Sequence, residues 1–488
     1  MNSHTIELDS LAALQLAHDI SYRKDLVFAG DGSVTWVRSE PYVSGKTYSL
    51  PIDLDHPVSE LDRIASVLHY GAGLLRYEPN HGFRVHRGFP SPRGVYPTEI
   101  YLATSGVDGL GHGLYHYQAT QHRVVKLDES NAWAMLQRSL ACELESDSIA
   151  LIVGSKFERL SVRYGDFAYA LCTFEAGHAL GSFGRVASEL GYRISLHYGF
   201  DDALVREAIN GVSEEIVSPL AIAILHNEGG LTRECRHVDT GGAETQDAPA
   251  IPNGRRITEV ERAAARIGAC RSNTVLIPSM PASRPRESLS REFRSTLRTR
   301  NSGSGGPLGE LIPNPVPLSA EILQRALNAS WQPTAHDLTE LPMLQRYAVV
   351  IRFEDIEPGV YLVSENHTLN LKSKGDVRER LRAAYTYPPD QANLHALAGA
   401  IFYVIDYPSA IEQWGARGLR IANLVCGLAA QQICLAAASA GVVGRAVRAF
   451  DDNALEAVLG VEDLQESAAY GVLLGSNRHP ALSFNLAL

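Results

Sequence analysis

The chain has 488 residues, which is too long for one ordinary hydrophobic core and predicts at least two domains. Hydrophobic residues make up 45% and charged residues 20%, a balance typical of a globular rather than a disordered protein. The formal net charge of -11 argues against a general nucleic-acid binder, which needs a basic surface, so we expect no nucleic-acid partner.

The spacing of cysteines and histidines predicts no metal site. No two cysteines form a CxxC pair, and no HExxH sequence occurs. The most apolar stretch, 419–444, is interrupted by Arg420, Asn423, Gln431 and Gln432, which indicates a buried helix rather than a membrane span. Because the N-terminus does not resemble a signal peptide, we expect a cytoplasmic protein.

The apolar pattern predicts four segments in chain order. They are an N-terminal extension over 1–60 with short strands at 26–28 and 34–37, a first domain over 61–228, a linker over 229–255, and a second domain over 256–488. The first domain is expected to hold a helix over 59–75, a Pro/Gly-rich turn over 89–94, strands over 99–103 and 113–117, a helix over 169–190 and a strand over 220–225. The second is expected to hold helices over 259–267 and 318–328, strands over 347–352 and 359–363, a helix over 418–440 and a strand over 470–474.

The second half repeats the first. Aligning Phe200-Asp201-Asp202 with Phe450-Asp451-Asp452 gives an offset of 450 − 200 = 250 residues. Without a gap, the same offset pairs Gly165 with Gly415, Gly177 with Gly427, Ala179 with Ala429, Ala187 with Ala437, and Gly191 with Gly441. Together with the shared order of elements, these matches indicate a duplicated domain. A fused pair of similar domains imitates a two-fold dimer, whose two inter-subunit sites can diverge separately.

Candidate site residues differ between the halves. The first half carries a tight loop with Pro90, Ser91 and Gly94, whose exposed N–H groups could face a planar ring, although an ordinary turn explains the same pattern. The second half carries Arg298, Arg300, Ser302 and Arg478, which suit a phosphate, although a solvated basic surface is the alternative. The two sets complement each other.

Arg163 and Tyr164 precede the first long helix and pair a cation with a phenol. This is a plausible acid–base position, while a tyrosine that packs the start of the helix is the alternative. No GxGxxG follows a strand, so a Rossmann dinucleotide site is not supported.

These residues resemble the nitroreductase superfamily, and within it the SagB-type azoline dehydrogenases, which oxidise thiazolines and oxazolines to thiazoles and oxazoles. Most of the resemblance lies within 40–226. Its segments are Pro41-Tyr42, Lys46-Thr47-Tyr48, 87–101 with its Pro-Ser-x-Gly-x-Tyr-Pro core, 113–117, 163–166 with Tyr169, 175–178, and Gly191 with 200–202. The second half resembles the wider superfamily through Arg298, Arg300, Ser302, 418–452 and 475–478.

The resemblance implies an α+β fold, with two tandem nitroreductase-like domains forming a pseudo-dimer around one FMN. It places Arg298, Arg300, Ser302 and Arg478 on the FMN phosphate, and Pro90, Ser91 and Gly94 near the ring. The backbone around Arg448 would lie near flavin N5, and the opposite site of the pseudo-dimer would be empty.

The resemblance also implies an azoline-containing peptide substrate, cyclodehydratase partner proteins and catalytic roles for Tyr164 and Arg163. The family usually has a Lys-Tyr pair where this chain has Arg163-Tyr164. An arginine cannot act as a base at ordinary pH because its pKa exceeds about 12. Tyr164 or a nearby group must then serve, with Arg163 lowering the pKa of the phenol through its charge.

Three functions remain open from the sequence. The first is azoline oxidation, and the second is another flavin reaction, such as nitro or enone reduction with NAD(P)H. The third is a non-catalytic scaffold subunit of a peptide-modifying complex, since a fold alone does not define an activity.

Overall fold

The computed structural model describes residues 3–27, 45–128, 132–145, 148–210, 216–227, 249–267, 288–303, 309–331, 334–338, 340–342, 344–461, 465–477 and 482–486. The helices are α1 Ser3–Tyr22, α2 Lys24–Val27, α3 Glu60–Ala72, α4 Ala132–Leu140, α5 Glu158–Tyr164, α6 Ala168–Glu189, α7 Asp202–Asn210, α8 Arg255–Ala265, α9 Arg291–Thr299, α10 Ala320–Ser330, α11 Arg378–Ala384, α12 Tyr407–Trp414, α13 Arg417–Ser439 and α14 Asp452–Leu459. The strands are β1 Thr47–Ser49, β2 Arg76–Tyr77, β3 Val85–His86, β4 Thr98–Thr104, β5 Gly113–Gln118, β6 Arg123–Asp128, β7 Ile149–Ser155, β8 Arg193–His197, β9 Ser218–His226, β10 Pro313–Asn314, β11 Ala335–His336, β12 Leu344–Val350, β13 Gly359–Val363, β14 Leu369–Lys374, β15 Gly399–Asp406, β16 Val443–Val447, β17 Glu466–Asn477 and β18 Phe484–Asn485.

The two halves have the same sheet topology, which confirms the α+β fold and supports the duplication. In the first half the strand order is β6-β5-β4-β7-β9-β8, and in the second it is β14-β13-β12-β15-β17-β16. Within these two runs neighbouring strands pair antiparallel. Each strand of the first run therefore has a counterpart in the second run, about 250 residues later.

Helices α6 and α13 pack against each other at the centre of the molecule. A Cβ added to Gly177 would overlap the Leu424 carbonyl and lie 3.0 Å from the Cα of Gly427, and one added to Gly427 would overlap the Phe174 carbonyl. Gly177 and Gly427 are equivalent at the offset of 250, as are Phe174 and Leu424. Equivalent residues that contact each other lie on a two-fold axis, so the halves form a pseudo-dimer.

Two short strands of the second half pair with strands of the first half. β11, from the second half, extends the first sheet by pairing parallel to β8. β18, near the end of the chain, pairs with β2. The predicted domain bounds at 61–228 and 256–488 remain a prediction. So does the linker over 229–255, because 228–248 lies outside the described residues.

The N-terminal extension differs from the expectation. The strand predicted at 26–28 is wrong for its first two residues, because α2 includes Leu26 and Val27, and 34–37 lies outside the described residues. Within the described part of the extension there is one short strand, β1. The longest described element of the extension is α1, whose buried apolar residues recur at helical spacing and are Ala13, Leu16, Ala17 and Ile20. This helix packs against α8 and α12.

One helix of the described chain, Arg417–Ser439, has the length and hydropathy of a membrane span, and 83% of its most apolar window is buried inside the protein. Its polar residues have partners there. Asn423 donates to the Thr173 hydroxyl at 2.9 Å, and Gln431 donates to the Gly88 carbonyl at 3.0 Å. This is the core helix that the interrupted apolar pattern predicts.

Candidate active site

A cavity of about 530 Å³ lies between the two halves. Both halves and the N-terminal extension contribute to its wall. The wall includes charged, hydroxyl-bearing, aromatic and loop residues, among them Lys24, Arg76, Glu78, His81, His86, Pro90, Ser91, Arg93, Gly94, Tyr96, Tyr164, Phe174, Glu175, Arg300, Ser302, Arg445, Arg448 and Tyr470. The cavity brings together the predicted Pro90, Ser91, Gly94, Tyr164, Arg300, Ser302 and Arg448.

The first-half loop is held in a tight conformation on one wall. Arg93, Gly94 and Tyr96 have positive φ of 53°, 60° and 52°. Two of these are not glycine, and such backbone strain persists only where the surroundings enforce it. Here Ser91 Oγ accepts from the Tyr96 N–H at 2.8 Å, and the Tyr96 hydroxyl accepts from the Arg87 N–H at 3.0 Å. The loop is therefore rigid and presents its prolines to the cavity.

Tyr164 lies at the end of α5 and its side chain is buried at the cavity wall. Its hydroxyl oxygen accepts from Nε of Arg93 at 2.9 Å. The Arg163 guanidinium instead lies 5.9 Å from the centre of the Tyr164 ring. The partner of the phenolic oxygen is thus Arg93, a residue that the sequence analysis did not select.

Helix α9 ends between Arg298 and Arg300, two of the arginines that the sequence predicts for the site. Arg298, in the last helical turn, donates to the Tyr70 hydroxyl at 3.3 Å and is not among the residues lining the cavity. Arg300 follows in an extended conformation (φ -52°, ψ 122°), lines the cavity and donates to Ser302 Oγ at 3.3 Å. Arg478 lies outside the described residues.

A cationic cluster closes this end of the cavity. Arg76 donates to the carbonyl oxygens of Arg298 and Arg300, and Arg445 donates to those of Ser302 and Gly309. The Arg300 side chain is buried, and its Nε has no hydrogen-bond partner. Burial, and then the charge of Arg76, lower the pKa of Arg300, so an anion bound here would relieve an electrostatic cost.

Glu78, His81 and His86 lie beside this cluster, with ligand atoms within 4.8 Å of one another. His81 Nδ1 accepts from the Phe83 N–H at 2.9 Å, which leaves the ring hydrogen on Nε2. An imidazole with that hydrogen is a donor rather than a metal ligand. Glu78 is held by Arg76 at 2.6 Å, and its pKa is lowered to about 2 by His86 and Arg76 despite burial.

Two further charged groups border the middle of the cavity. Burial raises the pKa of Glu175 to about 7, although hydrogen bonds from Ser91 and Thr98 oppose the shift. Arg448 donates two hydrogen bonds of 2.6 Å to the buried Asp452, which fixes the turn after β16 at the cavity wall.

The pseudo-equivalent turn of the first half is occupied by the chain itself. At the offset of 250, Arg448 and Ala449 correspond to Tyr198 and Gly199. The N–H groups of Tyr198 and Gly199 donate to the Asp337 carboxylate at 2.9 to 3.1 Å. A carboxylate from the second half thus fills the place where the other site has a cavity, which favours one site per chain.

Sequence reasoning missed Lys24, Glu78, His81, Arg93, Glu175 and Arg445. Arg93 had a usable signal, because it stands inside the Pro-Ser loop that the analysis selected. Lys24 and Arg445 had none, since they reach the cavity only through contacts between distant parts of the chain.

Comparisons with known proteins identify the family. The model of the Nitroreductase family matches residues 314–476. A Methanocaldococcus jannaschii protein that carries the name nitroreductase is 30% identical over 134 residues, which are 26% of this chain and 68% of that protein. The indigoidine synthase of Streptomyces lavendulae is 23% identical over 128 residues, which are 26% of this chain and 9% of that protein.

A crystal structure of an Anabaena variabilis protein, also named as a nitroreductase, matches with a TM-score of 0.75 at 22% identity. The match covers 96% of this chain and 99% of that one, so the fold is shared over both halves. The chain belongs to the nitroreductase family, whose members are FMN-dependent oxidoreductases.

The cavity fits an FMN. The buried Arg300 with its unpartnered Nε, the Ser302 hydroxyl and Arg445 suit the phosphate. The rigid Pro-Ser loop stands on one side of the cavity, and the stacked rings of Phe174 and Tyr470, 4.2 Å apart, line it as well. These are flat, apolar surfaces of the kind that a planar ring system packs against.

Proposed function

We propose that this chain is an FMN-dependent dehydrogenase that oxidises thiazoline or oxazoline rings to thiazoles or oxazoles in a peptide. The observation that carries the proposal is the Arg93–Tyr164 pair. The tyrosine that the resemblance to azoline dehydrogenases selects lines the same cavity as the Pro-Ser loop and the phosphate-binding candidates.

Each group has a distinct task in this proposal. FMN, when bound, would supply a two-electron acceptor. Arg300, Ser302 and Arg445 would hold its phosphate, and the loop with Pro90, Ser91 and Gly94 would support its ring. The phenolic oxygen of Tyr164 accepts from Arg93, and in this proposal its hydroxyl would donate to the substrate, for example to a ring nitrogen.

We further propose that Arg298 and Arg163 act outside the ligand contacts, as their positions beside Tyr70 and above the Tyr164 ring suggest. The substrate would be an azoline-containing peptide, delivered with cyclodehydratase partners in the cytoplasm. The partial match to an indigoidine synthase is compatible with a biosynthetic role. Reduction of nitro or enone compounds with NAD(P)H is the second candidate, favoured by the name of the M. jannaschii relative.

Anaerobic reduction of the bound flavin separates these candidates. With FMN-loaded protein, an azoline-bearing peptide should bleach the oxidised flavin spectrum, whereas NADH and NADPH should not. Bleaching by NAD(P)H alone would favour the reductase. Protein that retains no flavin at all would favour the scaffold.

A further inference from the structure

Lys24 reaches the cavity from outside the two repeated domains. It is the first residue of α2, and its Nζ donates to the Phe450 carbonyl oxygen and, at 2.7 Å, to Asp452 Oδ1. The side chain lines the cavity and is 24% exposed. Phe450 and Asp452 follow Arg448 on the turn that borders the same cavity.

The charge of the Asp452 carboxylate is already balanced without a positive charge on the Lys24 amine. Arg448 already neutralises Asp452 through two hydrogen bonds of 2.6 Å, so Lys24 adds a second positive charge beside one buried carboxylate. Burial, and then the charge of Arg448, lower the pKa of Lys24, and the carboxylates of Asp451 and Asp452 only partly oppose them.

Helix α2 packs against α1, whose Asp19 accepts from Gln15 and Arg256 and whose Tyr22 donates to Glu456, and against the turn 165–167. Its charged residue, Asp166, accepts from the N–H groups of Arg256 and Ile257 and is therefore engaged elsewhere. The neutral form of Lys24 is thus not opposed from this side.

The two hydrogen bonds of Lys24 are compatible with a neutral amine. An –NH₂ group has two hydrogens and one lone pair. The hydrogens satisfy Phe450 and Asp452, and the lone pair remains for a molecule in the cavity that Lys24 lines. A lysine held in this way can take up a proton without losing its place.

We propose that Lys24 is the proton acceptor of the cavity, and that Tyr164 is a separate hydrogen-bond donor. The inference rests on the proposed function and assigns the group that removes a proton from the azoline ring. Lys24 Nζ takes one hydrogen of the azoline as a proton and breaks its bond to a ring carbon. The second hydrogen and two electrons go to the flavin, which is the oxidant, so that the ring loses two hydrogens in all. The lysine then returns its proton to solvent.

Competitive acetylation tests this property without any turnover. The full, FMN-loaded chain is labelled with trace acetic anhydride across pH, and modification is followed by mass spectrometry of the peptides containing Lys24 and the exposed Lys372. Because only the neutral amine reacts, Lys24 should gain reactivity at a pH at least one unit below Lys372. An equal or higher midpoint would overturn the inference. So would the absence of labelling, because a group closed to this small reagent is closed to the substrate.

Lys24→Arg separates a chemical role from a structural one. Arginine keeps the cation and can keep both hydrogen bonds, but it cannot accept a proton at ordinary pH. Ring oxidation should fall at least 100-fold with flavin content unchanged, and Lys24→Met should show the same loss. Full activity in Lys24→Arg would mean that Lys24 has only a structural role. If the parent chain oxidises no azoline, the proposed function fails, whereas the labelling result still decides whether Lys24 is a neutral amine.

Discussion

Arg93 Nε lies 2.9 Å from the hydroxyl oxygen of Tyr164, and the residue next to Tyr164 in sequence, Arg163, does not take that place. Arg93 is itself in the left-handed region, with φ 53° and ψ 20°. Strain of this kind at a cavity wall is typical of a residue held for function. The loop of one motif thereby positions the tyrosine of another.

Tyr164→Phe removes the hydroxyl and keeps the ring. Since the hydroxyl is the group that we expect to donate to the substrate while its proton is removed, turnover should fall about 10²–10⁴-fold while flavin content is retained. Steady-state rates and the flavin-to-protein absorbance ratio measure the two effects. Full turnover in this variant would mean that Tyr164 only packs the start of α6.

Two arginine variants serve as a matched pair for that experiment. Arg93→Met removes the donor to the phenolic oxygen and should lower turnover by roughly tenfold or more, because a hydrogen bond from a charged group is worth about 1.5–3 kcal/mol. Arg163→Lys should leave turnover nearly unchanged, since its contact is to the ring face. A larger loss of turnover in Arg163→Lys than in the Arg93 variant would mean that Arg163 is the partner of the phenolic oxygen.

Arg300→Gln should weaken FMN binding by roughly 10- to 150-fold, because one charged hydrogen bond to a phosphate is worth about 1.5–3 kcal/mol. Arg298→Gln is the control, because Arg298 contacts Tyr70 rather than the cavity. Titration of the flavin-free chain with FMN measures both. Equal losses of FMN affinity in the two variants would mean that Arg298 also contacts the phosphate.

Gly177→Ala should destabilise the contact between the halves. The new Cβ would meet backbone atoms of Leu424 and Gly427 on α13, and overpacking of this kind costs about 1–3 kcal/mol. Gly184→Ala, on the same helix, places its Cβ in open space and should stabilise by up to about 1 kcal/mol. Urea denaturation compares the two, and an unchanged midpoint for Gly177→Ala would contradict the packing.

Glu175 should make stability depend on pH. Its pKa is raised by burial from 4.5 to about 7, so its contribution is present below pH 4.5 and is lost as the pH rises through about 7. From pH 5 to pH 8 the parent should lose roughly 2–4 kcal/mol relative to Glu175→Gln, which cannot ionise. Denaturation of both proteins at the two pH values measures this difference. A constant difference would show that Glu175 does not titrate there.

Local sequence patterns predict much of the fold. The helix predicted over 169–190 is Ala168–Glu189, and the one over 418–440 is Arg417–Ser439. Both are long and apolar, and their glycines fall where backbones must approach. The N-terminal helix was not predicted, because two of the four buried apolar residues described in it are alanines and its amphipathic pattern is weak.

The site was only partly predictable, for a geometric reason. Pro90, Ser91 and Tyr164 stand within recognisable motifs, so their place in the cavity could be anticipated. Arg298 and Arg300 lie two positions apart in the sequence. Because α9 ends at Thr299, between them, Arg300 lines the cavity and Arg298 does not. Lys24 depends on the docking of an N-terminal segment more than 400 residues away from Asp452.

The central claim is tested most directly by the mass of an azoline-bearing peptide after incubation with the FMN-loaded chain and oxygen. The account predicts a loss of two hydrogens per ring oxidised, with the ring gaining azole absorbance, and a Tyr164→Phe sample that stays largely unconverted. An unchanged peptide mass, in a sample whose flavin turns over with NAD(P)H and a nitro compound, would contradict it.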